Sequence, residues 1–155
     1  MAISSSLNDA EDRDFVEIPC LSSSTAGYGV ITEKDIERFI STSRSSLHSL
    51  EPSRFFWLRM NDQSMEKAGI NSGDAALICR MNNLKNGICR GDIVAFQIEG
   101  KVTLRTLGED NGEYIILHSE NPNFEDIHVR YRDLYNDDVQ FIGKMVQHLA
   151  KNNIE

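Results

Sequence analysis

With 155 residues, 40% of them hydrophobic and 26% charged, the chain has the size and mix of one folded domain with an arm, which excludes wholesale disorder. A formal charge of -8 and a pI near 5.0 argue against a surface built to grip nucleic acid, because that needs clustered Lys and Arg. No apolar run reaches the length of a membrane span, and MAISSSLNDAEDRD lacks the basic and apolar regions of a signal peptide, so a cytoplasmic protein without membrane contact is expected.

Residues 1–14 are Ser-rich and acidic, with Asp9, Glu11, Asp12 and Asp14, and are expected to form a flexible N-terminal arm ahead of a domain over 15–155. Phe15 to Pro19 reads as a short edge strand, with the proline where a missing donor costs least. Cys20 to Gly29 is a loop of small residues. Ile31 to Ile40 has apolar positions at 36, 39 and 40 behind a Thr32 and Asp35 capping pair, which predicts a short amphipathic helix or turn. A second Ser-rich connection runs from Ser41 to Ser53.

From Phe55 onward the pattern is one of strands. Phe55 to Met60, Ala75 to Arg80, Ile93 to Glu99, Val102 to Leu107 and Tyr114 to His118 are short apolar or alternating runs divided by turn signals. Glu99-Gly100 and Asn111-Gly112 read as hairpin turns, so the sheet is expected to be mostly antiparallel. Met81 to Arg90 is an irregular excursion, Ile127 to Val129 one more strand, and Val139 to Leu149, with Gly143 inside it, a bent strand. The fold class is mainly β, with twisted sheets and few short helices.

Three cysteines, Cys20, Cys79 and Cys89, have no metal spacing, and Cys79, Cys89 and His118 form no CxxC or HxxxH pattern. No metal and no cofactor is expected. Met60 to Asp74, MNDQSMEKAGINSGD, reads as a corner between two strands, with Ser64 ahead of one helical turn. On local sequence alone Ser64 is a plain helix cap. The same corner suits a nucleophile, with the backbone N–H groups of Ser64 and Met65 facing an oxyanion.

The order of these pieces resembles the C-terminal, self-cleaving domain of LexA-type and phage CI-type repressors and of the UmuD mutagenesis proteins. The family's Gly-Asp-Ser-Met corner falls on Asn61-Asp62-Gln63-Ser64-Met65, followed by Ile70, Gly73-Asp74 and the strand Ala75 to Ile78; its second Gly-Asp strand falls on Gly91 to Ala95. Its Thr-Val-Lys-Arg-Leu strand matches Thr103-Leu104-Arg105-Thr106-Leu107, its Pro/Ser-x-Asn segment Ser119-Glu120-Asn121, and its final glycine run Ile142 to Val146. The resemblance implies a Ser-Lys serine peptidase fold in which Ser64 is the nucleophile and a cleavage loop at 20–30 carries the scissile bond Ala26–Gly27.

Arg105 stands where that family has its base lysine. A guanidinium has no acceptor and keeps its proton, so the resemblance implies latent autoproteolysis that this chain has disabled. The alternative is an active autopeptidase or hydrolase with another base, for which Lys101, His118 and His128 are the nearest candidates in sequence, or a relative of signal peptidases. The family further implies a role in the DNA-damage (SOS) response or in phage repression, with an activated recombinase filament as trigger. DNA would be met only through a separate domain, or an error-prone polymerase would be the partner of a UmuD-like protein. Val139 to Leu149 would pair two copies as a homodimer or else fill the monomer core.

Overall fold

The computed structural model describes residues 14–22, 32–84, 87–135 and 139–154. Among the described residues nine strands hydrogen-bond into one sheet: β1 (Phe15–Ser22), β2 (Ile36–Ser43), β3 (Phe55–Arg59), β4 (Ala75–Arg80), β5 (Ile93–Ile98), β6 (Lys101–Asp110), β7 (Tyr114–His118), β8 (Ile127–Arg130) and β9 (Val139–Leu149). Their order across the sheet is β2-β1-β3-β4-β9-β5-β6-β7-β8, and every neighbouring pair except the parallel β1 and β3 is antiparallel. This agrees with the mainly β, mostly antiparallel class read from the sequence. The helices among the described residues are single 3-10 turns, and none is long and apolar enough to cross a membrane.

The central strand is β9. Its residues 143–149 pair with β4, its residues 139–144 pair with β5, and the two ladders overlap only at Gly143 and Lys144. The strand therefore splices a first half-sheet, β2-β1-β3-β4, to a second, β5-β6-β7-β8. Gly143 is required at the splice because a Cβ there would overlap the Cys79 carbonyl. The β5–β6 hairpin turns on Glu99 and Gly100, both at positive φ, which is the two-residue turn matching the twist of the strands.

Each half has its own core, and a third core joins them. Trp57, Phe55, Leu77 and Ile18 pack in the first half, and Phe96, Val94, Leu117 and Val129 in the second. Phe56, Leu58, Met65, Ile70, Leu104 and Ile142 fill the layer between. That middle layer takes side chains from the Ser64 corner and from β6, so it fixes the corner relative to the Arg105 strand.

Two expectations are corrected by the pairing. The Thr32–Asp35 capping pair does form, with Thr32 N and Oγ1 each 3.1 Å from Asp35 Oδ2, but it heads one 3-10 turn, and the chain then enters β2 instead of a helix. β1 is also no edge strand: it lies between β2 and β3, and β2 is the edge. Pro19 is accommodated there because the β3 ladder starts one residue later, at Cys20. β1 extends through Ser22, so Cys20 to Ser22 is strand, while the rest of the expected loop and most of the N-terminal arm lie outside the described residues.

In the first half's core the Trp57 indole N–H donates to Thr42 Oγ1 at 2.9 Å, and both side chains are buried. Thr42→Val removes the acceptor without changing the shape and leaves a buried donor unpaired. Urea denaturation is expected to show a loss of about 1–3 kcal/mol with an unchanged m-value.

Candidate functional site

The corner between β3 and β4 closes on itself through the backbone. Gly73 N donates to Met60 O and Met60 N to Asp74 O, each at 2.8 Å, so the chain leaves and re-enters the sheet at one point. Asp74 anchors the return. Its Oδ2 accepts from Asn71 N at 2.9 Å and lies 2.8 Å from His148 Nε2, and its Oδ1 accepts from Lys151 N at 2.9 Å. Burial works against the Asp74 carboxylate, but these donors outweigh it and hold its pKa below the ordinary value.

Ser64 sits inside this corner with only 1% of its surface exposed, and its Oγ has no hydrogen-bond partner among the described residues. It does not act as a helix cap. The following 3-10 turn, Glu66–Ala68, is preceded by Met65 and carries no side-chain cap bond. A buried hydroxyl without a partner is unusual enough to need a reason. The backbone N–H of Ser64 is differently placed: it donates to Asp62 Oδ1 at 3.0 Å.

A second segment clamps the corner from the other half of the sheet. Glu120 N donates to Ser64 O at 2.7 Å, Lys67 N donates to Glu120 O at 2.8 Å, and Asn121 Nδ2 donates to Gln63 O at 2.9 Å. Thr106 Oγ1 on β6 donates to Glu120 Oε2 at 2.7 Å, tying the clamp to the strand that carries Arg105. Glu120 and Asn121 were expected only as part of a family segment. Their contacts to residues 63–67 are what give the segment its role.

Arg105 is buried, at 7% exposure; its guanidinium NH1 donates to Leu104 O at 2.8 Å, and its Nε finds no partner among the described residues. Burial lowers its pKa from the ordinary value, while the nearby charges of Asp62 and Asp126 oppose that. An arginine starts so far above neutrality that it remains a cation. Arg105 is thus electrostatically coupled to Asp62, the residue that holds the Ser64 N–H.

Among the other candidate bases, His118 is held by two carboxylates. His118 has Nδ1 2.7 Å from Asp126 Oδ2 and Nε2 3.0 Å from Glu109 Oε2, with its ring lying over Gly108 where any side chain would collide with it. His128 on β8 stacks on Tyr114 of β7, and Lys101 is exposed at the start of β6. Cys79 is buried, Cys89 exposed, and no group of three metal-ligating side chains occurs among the described residues. Ala26 and Gly27 lie outside the described residues. Sequence reasoning passed over Asp62, although an aspartate two residues before a buried corner amide is a recognisable Asx-turn signal.

Comparison with known proteins bears on this arrangement. A family described as Peptidase S24-like matches residues 19–146. The chain is 31% identical over 137 residues to the LexA repressor of Clostridium perfringens, covering 88% of this chain and 60% of that protein. It is 32% identical over 127 residues to the LexA repressor of Actinobacillus succinogenes, covering 82% of this chain and 57% of that protein. The chain therefore spans about 60% of the length of the curated relatives it matches.

The His118 clamp has a definite pH dependence. The bond to Asp126 is the main cause that raises the His118 pKa above its ordinary value, and His118 in turn is the main side-chain partner lowering the Asp126 and Glu109 values. The imidazolium contribution is full below the unfolded His value and lost as pH rises through the raised one; the carboxylate contribution is full above the unfolded values and lost as pH falls through the lowered ones. The clamp is thus complete between about pH 4.5 and 6.5. Thermal unfolding should show His118→Gln most destabilised relative to the parent in that window, and an NMR titration should place the His118 pKa above 6.5.

Proposed function

The chain belongs to the Peptidase S24-like family, and from that premise we propose that it is a LexA- or UmuD-like regulatory and dimerisation domain carrying a latent serine autoprotease. The observation that carries the reading is the buried Ser64 Oγ, without a hydrogen-bond partner among the described residues, in a corner clamped by residues 120 and 121 from the half-sheet that bears Arg105. Self-cleavage would have Ser64 Oγ attack the Ala26 carbonyl carbon. The hydroxyl proton passes to a base as the new C–O bond forms, and the carbonyl π pair moves onto oxygen. Collapse breaks the Ala26–Gly27 C–N bond, the base returns the proton to the leaving amine of Gly27, and water releases the acyl group from Ser64.

Arg105 stops this sequence at its first proton transfer. Its guanidinium has five N–H donors and no lone pair to accept the Ser64 proton, whereas a desolvated lysine amine has one. The reading thus assigns the chain regulation by association, with a Ser64 nucleophile in place and chemically idle. A homodimer would form across β9, whose side chains outside Ile142 and Gly143 are half-buried. The family context would be the SOS or phage-repressor kind, with a recombinase filament as trigger and either a separate DNA-binding domain or an error-prone polymerase as partner.

Incubated at about pH 10, where a lysine base has an appreciable neutral fraction, the protein is expected to stay full length, while Arg105→Lys yields a fragment beginning at Gly27 that Ser64→Ala abolishes. A fragment from the unaltered chain would refute the disabled reading. For the dimer, deleting β9 is uninformative because the strand joins both half-sheets. Sedimentation of Met145→Glu should instead show dimerisation weakened, with Kd raised by about tenfold or more and cooperative unfolding retained, and an unchanged dimer would exclude this face.

A further inference from the structure

The corner contains a feature that the replaced base does not account for. In a tetrahedral intermediate the former carbonyl oxygen becomes an anion, and it is stabilised by N–H groups already aimed at the place it will occupy. The Ser64 N–H, the natural first donor to such an oxygen, is aimed instead at Asp62 Oδ1, two residues back at 3.0 Å. A carboxylate in that position both takes the donor and sets a negative group beside the point where negative charge must develop. Resting on the reading of Ser64 as a latent nucleophile, we propose that Asp62 is a second lock on the site, independent of the missing base, which closes the oxyanion position of Ser64.

Asp62 and Arg105 support each other in this role. The half-buried carboxylate has the Arg105 guanidinium as a nearby cation, and Arg105 has Asp62 and Asp126 as its nearby anions. Replacing Arg105 by lysine leaves both carboxylates facing position 105. They favour the charged ammonium and hold back the neutral amine that would serve as base. Asp62 therefore opposes a restored lysine twice, once at the proton-transfer step and once at the developing oxyanion. Removing Asp62 in the lysine background relieves both effects, while Asp126 stays in place.

The test compares the full chain carrying Arg105→Lys alone with the same chain also carrying Asp62→Ala or Asp62→Asn, each against a Ser64→Ala control. Rates of appearance of the fragment beginning at Gly27 are followed across alkaline pH. Asp62→Ala is expected to accelerate cutting by at least about tenfold and to move the midpoint of the pH profile downward, since one oxyanion donor is commonly worth 10²–10³ in rate. Asp62→Asn retains an acceptor oxygen that can keep the Asx turn, so it guards against misfolding of the alanine variant. It is expected to move the midpoint similarly with a smaller gain in rate.

If Arg105→Lys cuts and both Asp62 variants stay within about twofold of it with the same pH midpoint, the Asp62 lock is refuted and the latent-protease reading stands. If no lysine-bearing variant cuts at all, the reading of Ser64 as an activatable nucleophile fails, and the lock fails with it. Cutting by the double variants where Arg105→Lys alone is silent would support the lock most directly.

Discussion

Gly143 sits against the Cys79 carbonyl more closely than any residue with a side chain can, and the rest of the fold depends on that approach. It lets one strand belong to two ladders at once, with β4 on one side and β5 on the other. The Ser64 corner hangs from the first half-sheet, and Arg105 and the 119–126 segment from the second. Their relative position is therefore a property of the splice and of the apolar layer around Met65, Leu104 and Ile142. The site is rigid because its two sources are fused through a strand with no room for a side chain at the crossing.

Outward from the corner the charges alternate in sign. The charges of Asp62 and Asp126 act on Arg105 through space, Asp126 bonds His118, His118 bonds Glu109, and Glu109 pairs with Arg90 at 2.6 Å. Of these groups only Arg105 is buried; Asp126, Glu109 and Arg90 are exposed, so the outer part of the series is screened by salt. Asp126 also accepts from Ser119 N at 3.0 Å, at the head of the segment that clamps Ser64. The ladder thus connects the electrostatics of Arg105 to the geometry of the corner through one shared carboxylate.

The strands from β3 to β7 were legible because each is a short apolar or alternating run, and Gly73-Asp74, Gly91-Asp92, Glu99-Gly100 and Asn111-Gly112 divide them, which is local information. The bent strand at Val139 to Leu149 was legible from its β-branched residues and its glycine. β2 was misread because Ile36, Phe39 and Ile40 satisfy helical spacing, and what decides against a helix is the pairing of Ile36 with Leu21 and Ile40 with Ile18, which no window around residue 36 contains. Ser64 and Arg105 were found through motif order. The Asn121 bond to Gln63 spans 58 residues and is set by the splice, so composition and periodicity near either residue could not reveal it.

The place of β9 also constrains how the chain reaches its native state. Residues 139–149 complete ladders to residues 75–80 and 93–98, so both half-sheets must wait, each with an unpaired inner edge, until a strand far along the chain arrives. Contacts of such long sequence separation slow folding, since the loop must close before any ladder bond rewards it. During synthesis those open edges are available to other nascent chains. A fold whose keystone is translated late therefore has its greatest exposure to misassembly just before it becomes most secure.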